Sequence, residues 1–439
     1  MTQKHKVYIE TFGCQMNLND TEIVKAIMIE AGFGIANEIS NANVILLNTC
    51  SIRENAEDIV RNKIEYIYHK IKKRQYKTIF GVLGCMAERL GEKLLLYHNV
   101  INLVVGPDEY RKLPDFVNEC FEGASKVAIE FNKDEVYNDI IPFRENGVSA
   151  WLSIMRGCNN FCSYCIVPYV RGRERSRSME SILREVDYLI KSGIKEITLL
   201  GQNVNNYLYD ETKFPRLLEE VAKRNNEIRI RFLTSHPKNI TSDLIDTIAK
   251  YDNICPHFHL PLQSGSNRIL EKMNRKYTTE KYLSLTNEIK NKLPIVSITT
   301  DIIAGYPTET LADHQATLDV MKEVNFDSAF MFRYSPREGT KSFSEIDDIA
   351  EDEKIRRLNE IIDLQNKISK TINYFEIGKV VQVLVDGIAK KKENQLIGRT
   401  ATNKNVVFEN INNNSKIGDF VSIRIEKSTS KTLIGRIVS

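Results

Sequence analysis

The chain has 439 residues, which at ~150 residues per domain suggests about three domains. With 42% apolar and 27% charged residues, neither a disordered chain nor a fibre is expected. The 61 basic and 58 acidic residues nearly cancel to +3, which excludes a generally basic nucleic-acid-coating protein and leaves only a local patch as an option. Met1 to Lys6 runs straight into an alternating segment with no signal-peptide core, and no apolar run approaches the ~18 residues of a membrane span, so a soluble, cytoplasmic protein is expected.

Residues 1–121 alternate short apolar runs with helical patterns. Val7–Ile9, Val44–Leu47, Ile79–Leu83 and Leu103–Val105 read as strands, and segments near 19–31, 54–74, 87–96 and 109–120 as helices. Such alternation predicts an open parallel sheet with helices on its faces. The charged, weakly patterned stretch 122–143 reads as a linker. The alternation restarts over 144–374, with candidate strands at 151–155, 196–200, 228–233, 257–262, 295–303 and 328–334 and a helical pattern after each of the first five. Ser178 is a candidate N-cap for an Ile182, Val186, Leu189, Ile190 stripe that stops at Gly193. Six strands with right-handed crossovers predict a partial (β/α)6 barrel, because the eight units of a closed one are not visible. Over 375–439, short runs at 379–385, 395–400, 406–408, 420–425 and 433–438 predict a small all-β barrel. From 376 onward there are 11 basic and 6 acidic residues, a surplus of five, so the rest of the chain sums to −2. The expected fold class is α/β with an appended all-β unit.

Eight cysteines, at 14, 50, 85, 120, 158, 162, 165 and 255, are too few for a disulfide scaffold; in a reducing compartment they favour metal ligation or catalysis. Cys158-Asn-Asn-Phe-Cys162-Ser-Tyr-Cys165 follows directly on a predicted strand. Three thiolates on one loop can each ligate one iron of a cubane cluster. A four-iron cluster then keeps one open iron, able to chelate an amine and a carboxylate such as S-adenosylmethionine offers. The alternative is zinc, whose sites usually show paired two-cysteine clusters or Cys/His pairs, and this loop has no histidine. The spacing, with Tyr164 beside the last cysteine, resembles the radical S-adenosylmethionine signature. That resemblance implies reductive cleavage of the sulfonium to a 5′-deoxyadenosyl radical.

Cys14, Cys50 and Cys85 are too far apart in sequence for a local chelate, but each sits just past a predicted strand. In a parallel sheet those ends share one edge, where open α/β sheets bind ligands. Converging there, they would hold a second three-cysteine cluster; three unrelated buried thiols are the alternative. Gly13-Cys-Gln-Met-Asn17, Asn48-Thr-Cys-Ser-Ile-Arg-Glu-Asn-Ala56 and Gly84-Cys-Met-Ala-Glu-Arg89 resemble the N-terminal domain of methylthiotransferases. Leu199-Leu-Gly-Gln-Asn-Val204, Thr234-Ser-His-Pro237 and Pro261-Leu-Gln-Ser-Gly-Ser266 continue the likeness through the central domain, and the tail resembles a TRAM domain, a small RNA-binding barrel. Cys50-Ser-Ile-Arg-Glu-Asn and Arg171-Gly-Arg-Glu-Arg-Ser-Arg177 resemble the branch that makes 2-methylthio-N6-dimethylallyladenosine in tRNA. Thr308 stands where glycine is expected in Gly305-Tyr-Pro-x-Glu-Thr, and His314 where an aromatic is commoner.

The resemblance implies two 4Fe-4S clusters and S-adenosylmethionine as cofactors. Cys158, Cys162 and Cys165 would hold the cluster that generates the radical. Cys14, Cys50 and Cys85 would hold the one that provides sulfur, methylated by a second S-adenosylmethionine. No catalytic residue beyond the cluster ligands is expected. Tyr164 would contact the cofactor, as would the turn Gly201, Gln202, Asn203 beside the methionyl amino group and Ile303 and Gly305 beside the adenine, a placement that suits a barrel-top site. Arg171, Arg173, Arg175 and Arg177 alternate, so on an extended segment they would all project to one side as forks matching phosphate; a solvated face is the alternative. Lys390, Lys391 and Lys392 read as further RNA contacts, or as a soluble turn. Sequence-specific RNA recognition targets single-stranded loops, and an anticodon-loop adenosine fits. Cys120 and Cys255 read as plain thiols, and His236, His257 and His259 as structural or pocket residues. The expected partners are a tRNA anticodon loop, a flavodoxin-like or ferredoxin-like electron donor and a sulfur source, with no membrane and a monomeric chain. The rivals are the same chemistry on threonylcarbamoyl-adenosine or a ribosomal-protein aspartate, and a non-catalytic iron–sulfur protein. Open three-ligand loops argue against the last, since plain electron transfer favours full ligation.

Overall fold

The structure, a computed structural model, describes residues 5–51, 54–96, 100–145, 147–389, 394–410 and 415–438. The chain begins with β1 (Lys6–Thr11), β2 (Gly34–Ile35), β3 (Val44–Thr49), β4 (Ile79–Gly84), β5 (Leu103–Val105) and β6 (Lys126–Ala128), which form one parallel sheet in the order β2-β1-β3-β4-β5-β6. β3 and β4 are buried along their whole length, which is why both read as continuous apolar runs. Alternate side chains serve opposite faces. Val44, Leu46 and Leu83 pack with α1 (Gln15–Glu30) and, through Leu113 and Val117, α4 (Leu113–Glu122). Ile45, Leu47, Phe80 and Val82 pack with α2 (Glu54–Ile71) and α3 (Cys85–Leu90).

The expected linker at 122–143 is a folded part of this unit. α4 runs to Glu122, and β6 then pairs with β5 as the sixth strand. Tyr137 is 1% exposed, lies in the same core as Tyr110, and donates to the Pro107 carbonyl at 2.8 Å. A three-residue strand is too short to show alternation, so the stretch had no period to read.

The central unit has six main strands, β7 (Ser149–Ser153), β10 (Glu196–Leu200), β13 (Arg229–Phe232), β14 (His257–His259), β15 (Ser297–Ala304) and β16 (Ser328–Arg333). Two short antiparallel ribbons lie on their connections, β8 (Met155–Arg156) with β9 (Arg175–Ser176), and β11 (Leu208–Tyr209) with β12 (Thr212–Lys213). β7, β10 and β13 pair in parallel, as do β14, β15 and β16, and a parallel bridge between Ile230 and Ile254 joins the two rows. β7 and β16 end the rows, so the barrel stays open. α5 (Val167–Val170) packs on α3 of the N-terminal unit, and the barrel's outer wall is closed by α6 (Met179–Lys191), α7 (Phe214–Ala222), α8 (Ser242–Lys250), α9 (Asn267–Lys272), α10 (Thr279–Lys292), α11 (Leu311–Val324) and α12 (Glu351–Tyr374). Ser178 caps α6 by accepting from Ser181 N, and Ile182, Val186 and Leu189 are buried. Ile197, Leu199, Ile230, Phe232, Phe258, Ile298 and Ile302 pack outward into one core. Alternation leaves Glu196, Thr198, Arg231, His257, His259, Thr299 and Asp301 to the lumen. A polar lumen is unlike the apolar filling of a closed barrel core.

The C-terminal unit is a closed barrel of β17 (Val380–Ile388), β18 (Gln395–Thr400), β19 (Asn405–Glu409), β20 (Phe420–Ser428) and β21 (Leu433–Ile437) in the order β17-β18-β19-β21-β20. It sits against the N-terminal ends of β10 and β13. Arg231 donates to the carbonyls of Thr400 and Ala401 at 2.7 and 2.9 Å, Arg229 to that of Arg399 at 2.6 Å, and Arg399 to Glu196 at 3.2 Å. Among the described residues no helix is long and apolar enough to cross a membrane.

Candidate active site

The structure places Cys14, Cys50 and Cys85 at three neighbouring strand ends of the N-terminal sheet. Cys14 caps α1 behind β1, Cys50 follows β3, and Cys85 opens α3 behind β4. A Cβ on Gly13 would stand 2.3 Å from the Cys50 Cβ, so only glycine, here at φ +134°, lets the first loop close on the second. Asn17 and Asn48 lock the two loops together. The Cys14 thiol donates to Asn17 Oδ1 at 3.3 Å, Asn17 Nδ2 donates to Asn48 Oδ1 at 3.0 Å, and Asn48 Nδ2 returns a bond to Asn17 O at 2.8 Å. The hydrogen bond with Cys50, aided by the charge of Arg171, lowers the Cys14 thiol to about 6 despite its burial. Burial pushes the Cys85 thiol up against the pull of Arg171.

Cys158, Cys162 and Cys165 lie on one loop closed by the β8–β9 ribbon, with Cys158 N donating to Gly172 O at 3.1 Å and Cys165 N to Cys162 O at 2.9 Å. Burial raises the Cys158 thiol to about 11 and the Cys165 thiol to about 12, so binding a metal here releases protons. Arg275 Nη1 donates to Cys162 Sγ at 3.3 Å.

The segment that follows the second triad docks on the N-terminal unit beside Cys85. Cys85 packs against Ile166 and Val170, just beyond Cys165. Asp20, wholly buried on α1, takes Arg156 at 2.8 Å and Arg171 at 2.7 Å. Burial alone would raise its carboxyl; the two guanidinium groups outweigh that and hold it below the usual range.

The expected cofactor residues gather on the C-terminal side of the barrel strands. Tyr164 and Ile303 join Ile269, Met273, Tyr306 and Tyr334 in one apolar group. Gly305 donates its N–H to Glu309 Oε2 at 2.8 Å, and a Cβ there would lie 2.5 Å from Lys354 Cγ. Gly201 ends β10 against Met155. The side chain of Asn203 is spent within the protein, accepting from His236 N at 3.2 Å and donating to Asn239 Oδ1 at 3.3 Å. Gln202 Oε1, by contrast, is buried with no partner among the described residues. His257 and His259 share Thr299 Oγ1 at 3.1 and 3.0 Å, and His259 lies edge-on to Phe330, which is 54% exposed on the open edge strand.

The four alternating arginines do not form a phosphate-facing row. Arg171 and Arg177 are buried, paired with Asp20 and with Glu185 at 2.7 Å each, and Arg175 grips Asp108 at 2.7 Å. Only Arg173 is exposed, its guanidinium 4.3 Å above the Phe161 ring. The extended geometry that would align them is confined to β9; carboxylates on α1, on α6 and in the turn after β5 draw Arg171, Arg177 and Arg175 inward. Lys390, Lys391 and Lys392 lie outside the described residues. Sequence reasoning also passed over Glu174, which accepts from Asn159 N at 3.2 Å and from Asn206, tying the cysteine loop to the Gly201 turn. It stood in plain view inside the arginine motif, read there only as a spacer. Arg275 carried no signal at all.

Each triad offers three free cysteine thiols, the donor chemistry that iron–sulfur groups take. Among the described residues no three Cys, His, Asp or Glu form a group that could hold one metal ion. A buried donor without a partner, Arg171 Nη1, stands beside the first triad. The unpaired acceptor Gln202 Oε1 suits an amino group at the expected cofactor turn.

Comparison with known proteins agrees along the whole chain. Residues 152–321 match the Radical SAM superfamily, residues 6–106 the uncharacterized protein family UPF0004, and residues 375–438 the TRAM domain. The tRNA-2-methylthio-N(6)-dimethylallyladenosine synthase of Bacteroides thetaiotaomicron is 48% identical over 99% of this chain and 96% of its own length. That of Azobacteroides pseudotrichonymphae is 50% identical over 98% and 96%. Among solved structures, a radical S-adenosylmethionine methyltransferase from Kitasatospora setae, with cobalamin and a [4Fe-4S] cluster bound, aligns with a TM-score of 0.61 at 14% identity over 78% of this chain and 74% of its own, a likeness of fold. The chain therefore belongs to the tRNA-2-methylthio-N(6)-dimethylallyladenosine synthase family, transferases of the radical SAM superfamily.

Proposed function

We propose that this protein inserts a methylthio group at C2 of N6-dimethylallyladenosine beside the anticodon of tRNA, using two 4Fe-4S clusters and two molecules of S-adenosylmethionine. The observation that carries the reading is the docking of the segment that follows Cys165 on Cys85, through Ile166, Val170 and Arg171, in a chain whose full length matches synthases of that name. When bound, a cluster on Cys158, Cys162 and Cys165 supplies reductive cleavage of S-adenosylmethionine, and one on Cys14, Cys50 and Cys85 supplies sulfur.

The chain's own residues bind and orient. Gln202 Oε1 accepts from the methionyl amino group, and Tyr164 and Ile303 pack the adenine beside Gly305. Phe330 offers an exposed ring on the open side of the lumen to the substrate base, a kind of stacking worth about 1–3 kcal/mol. Arg173 and the basic C-terminal barrel, with Lys390, Lys391 and Lys392, hold the RNA backbone. A flavodoxin-like or ferredoxin-like protein supplies electrons, and the chain acts as a monomer in the cytoplasm.

The test is mass spectrometry of tRNA nucleosides from cells with and without the gene. Loss of the methylthio-dimethylallyl nucleoside, with its precursor accumulating, is expected. An unchanged profile, or a defect confined to threonylcarbamoyl-adenosine, overturns the substrate.

A further inference from the structure

Arg171 leaves the chain six residues after Cys165 and ends inside the N-terminal unit. Its Nε donates to Cys85 Sγ at 3.2 Å and its Nη2 to Asp20 at 2.7 Å, while Arg156 holds the other Asp20 oxygen at 2.8 Å. The side chain is 3% exposed, and Nη1 is buried with no partner among the described residues. Arg275, beside the other triad, differs. It donates to Cys162 Sγ, to Tyr277 OH at 3.1 Å and to Pro261 O at 2.9 Å, so each of its nitrogens is spent. A guanidinium is a rigid fork of five donors. Two sides of the Arg171 fork are pinned, one on a cysteine sulfur and one on a fixed carboxylate, and the third has nothing to accept from it. The charge of Arg171 acts on Cys14 as well as on Cys85, so the nearest acceptors of the right sign belong to that site. Hydrogen bonds to the sulfurs and net charge are among the terms that set the potential of an iron–sulfur group.

We propose that Arg171 is the positioning residue of the Cys14, Cys50, Cys85 site: it seats the iron–sulfur group held there, donating through Nε to Cys85 and through Nη1 to a sulfur of that group, and raises its reduction potential. Asp20 sets the strength of the effect by balancing half of the local charge. Because Arg171 belongs to the loop of the other triad, seating the second group depends on how that loop docks. The inference rests on the reading that Cys14, Cys50 and Cys85 hold an iron–sulfur group.

The experiment uses the full chain with Cys158, Cys162 and Cys165 replaced by alanine, so that only the N-terminal site is left to load. After anaerobic reconstitution with iron and sulfide, metal content is measured and the potential is followed by redox titration with electron paramagnetic resonance. Arg171→Gln is expected to move the potential to a more negative value or to lose iron with helical circular dichroism intact. Asp20→Asn is expected to move the potential the opposite way, and Arg171→Lys to lie between Arg171→Gln and the parent. A purely structural strap produces no such opposed pair. Full iron content at unchanged potential in Arg171→Gln overturns the proposal, and so does loss of helical signal in both Arg171 variants. If the parent chain takes up no iron, it is the assignment of the N-terminal site that fails, a result distinct from any behaviour of Arg171.

Discussion

Thr308 shows how a single side chain can work against the backbone it occupies. It sits at φ +68°, in the left-handed region, within the loop that presents Gly305 and Glu309. A β-branched residue there carries a strain of about 1–2 kcal/mol that glycine would not. Its N–H bond to Asp348 at 2.7 Å and the contact of its carbonyl with Arg268 hold the loop regardless. Thr308→Gly is expected to raise stability by about 1 kcal/mol, read from the urea midpoint, while Thr308→Ala keeps the positive φ and gains little. A destabilised glycine variant would show that the hydroxyl's 3.2 Å bond to Arg268 outweighs the strain. This residue was legible in the sequence as a departure from a glycine position. The buried arginines were not, because a charged side chain is read as surface until the carboxylate that draws it inward is known, and Asp20 lies 136 and 151 residues away from its two partners.

At the scale of elements, the strand ends were readable because β3, β4 and β10 are buried on both faces and show as apolar runs; Cys50 and Cys85 fell just past two of these, and Cys14 just past the half-buried β1. The segment after α4 was not, because its order comes from single anchors instead of a period. Tyr137 is the anchor that tests this. Its ring is buried between Tyr110, at 6.0 Å, and the Arg156 guanidinium, at 5.0 Å, and its hydroxyl reaches Pro107 O at 2.8 Å. Tyr137→Ala is therefore expected to cost about 3–5 kcal/mol, as for other large aromatic truncations in a core. It should also open the segment around 130–145 to protease before the rest of the chain. A flexible linker would give no loss of stability, so an unchanged urea midpoint would reject the folded segment.

At the scale of the whole molecule, the small barrel and the cysteine loops lie at opposite ends of the central strands. Glu196 begins β10 and is 1% exposed, held by Arg231 at 2.7 Å and by Arg399 of the small barrel at 3.2 Å. Gly201, five residues on, opens the expected cofactor turn at the other end of the same strand. Among the described residues, Glu196→Gln leaves buried Arg229 and Arg231 and the half-buried Arg399 with Asp386, which meets Arg399 at 2.9 Å, as their remaining carboxylate. Removing one member of such a buried pair typically costs about 3–5 kcal/mol, because an uncompensated charge stays behind. The loss falls on the joint between the units, so the small barrel is expected to loosen on the central one while each keeps its own core. Protease should then cut between α12 and β17, and tRNA affinity should fall with a weaker salt dependence as backbone contacts are lost. Formation of 5′-deoxyadenosine from S-adenosylmethionine without tRNA should persist, since the proposed cofactor site lies at the far end of the barrel. Loss of both together would mean that the floor of the barrel supports its top, and the separation of the two ends would then have to be given up.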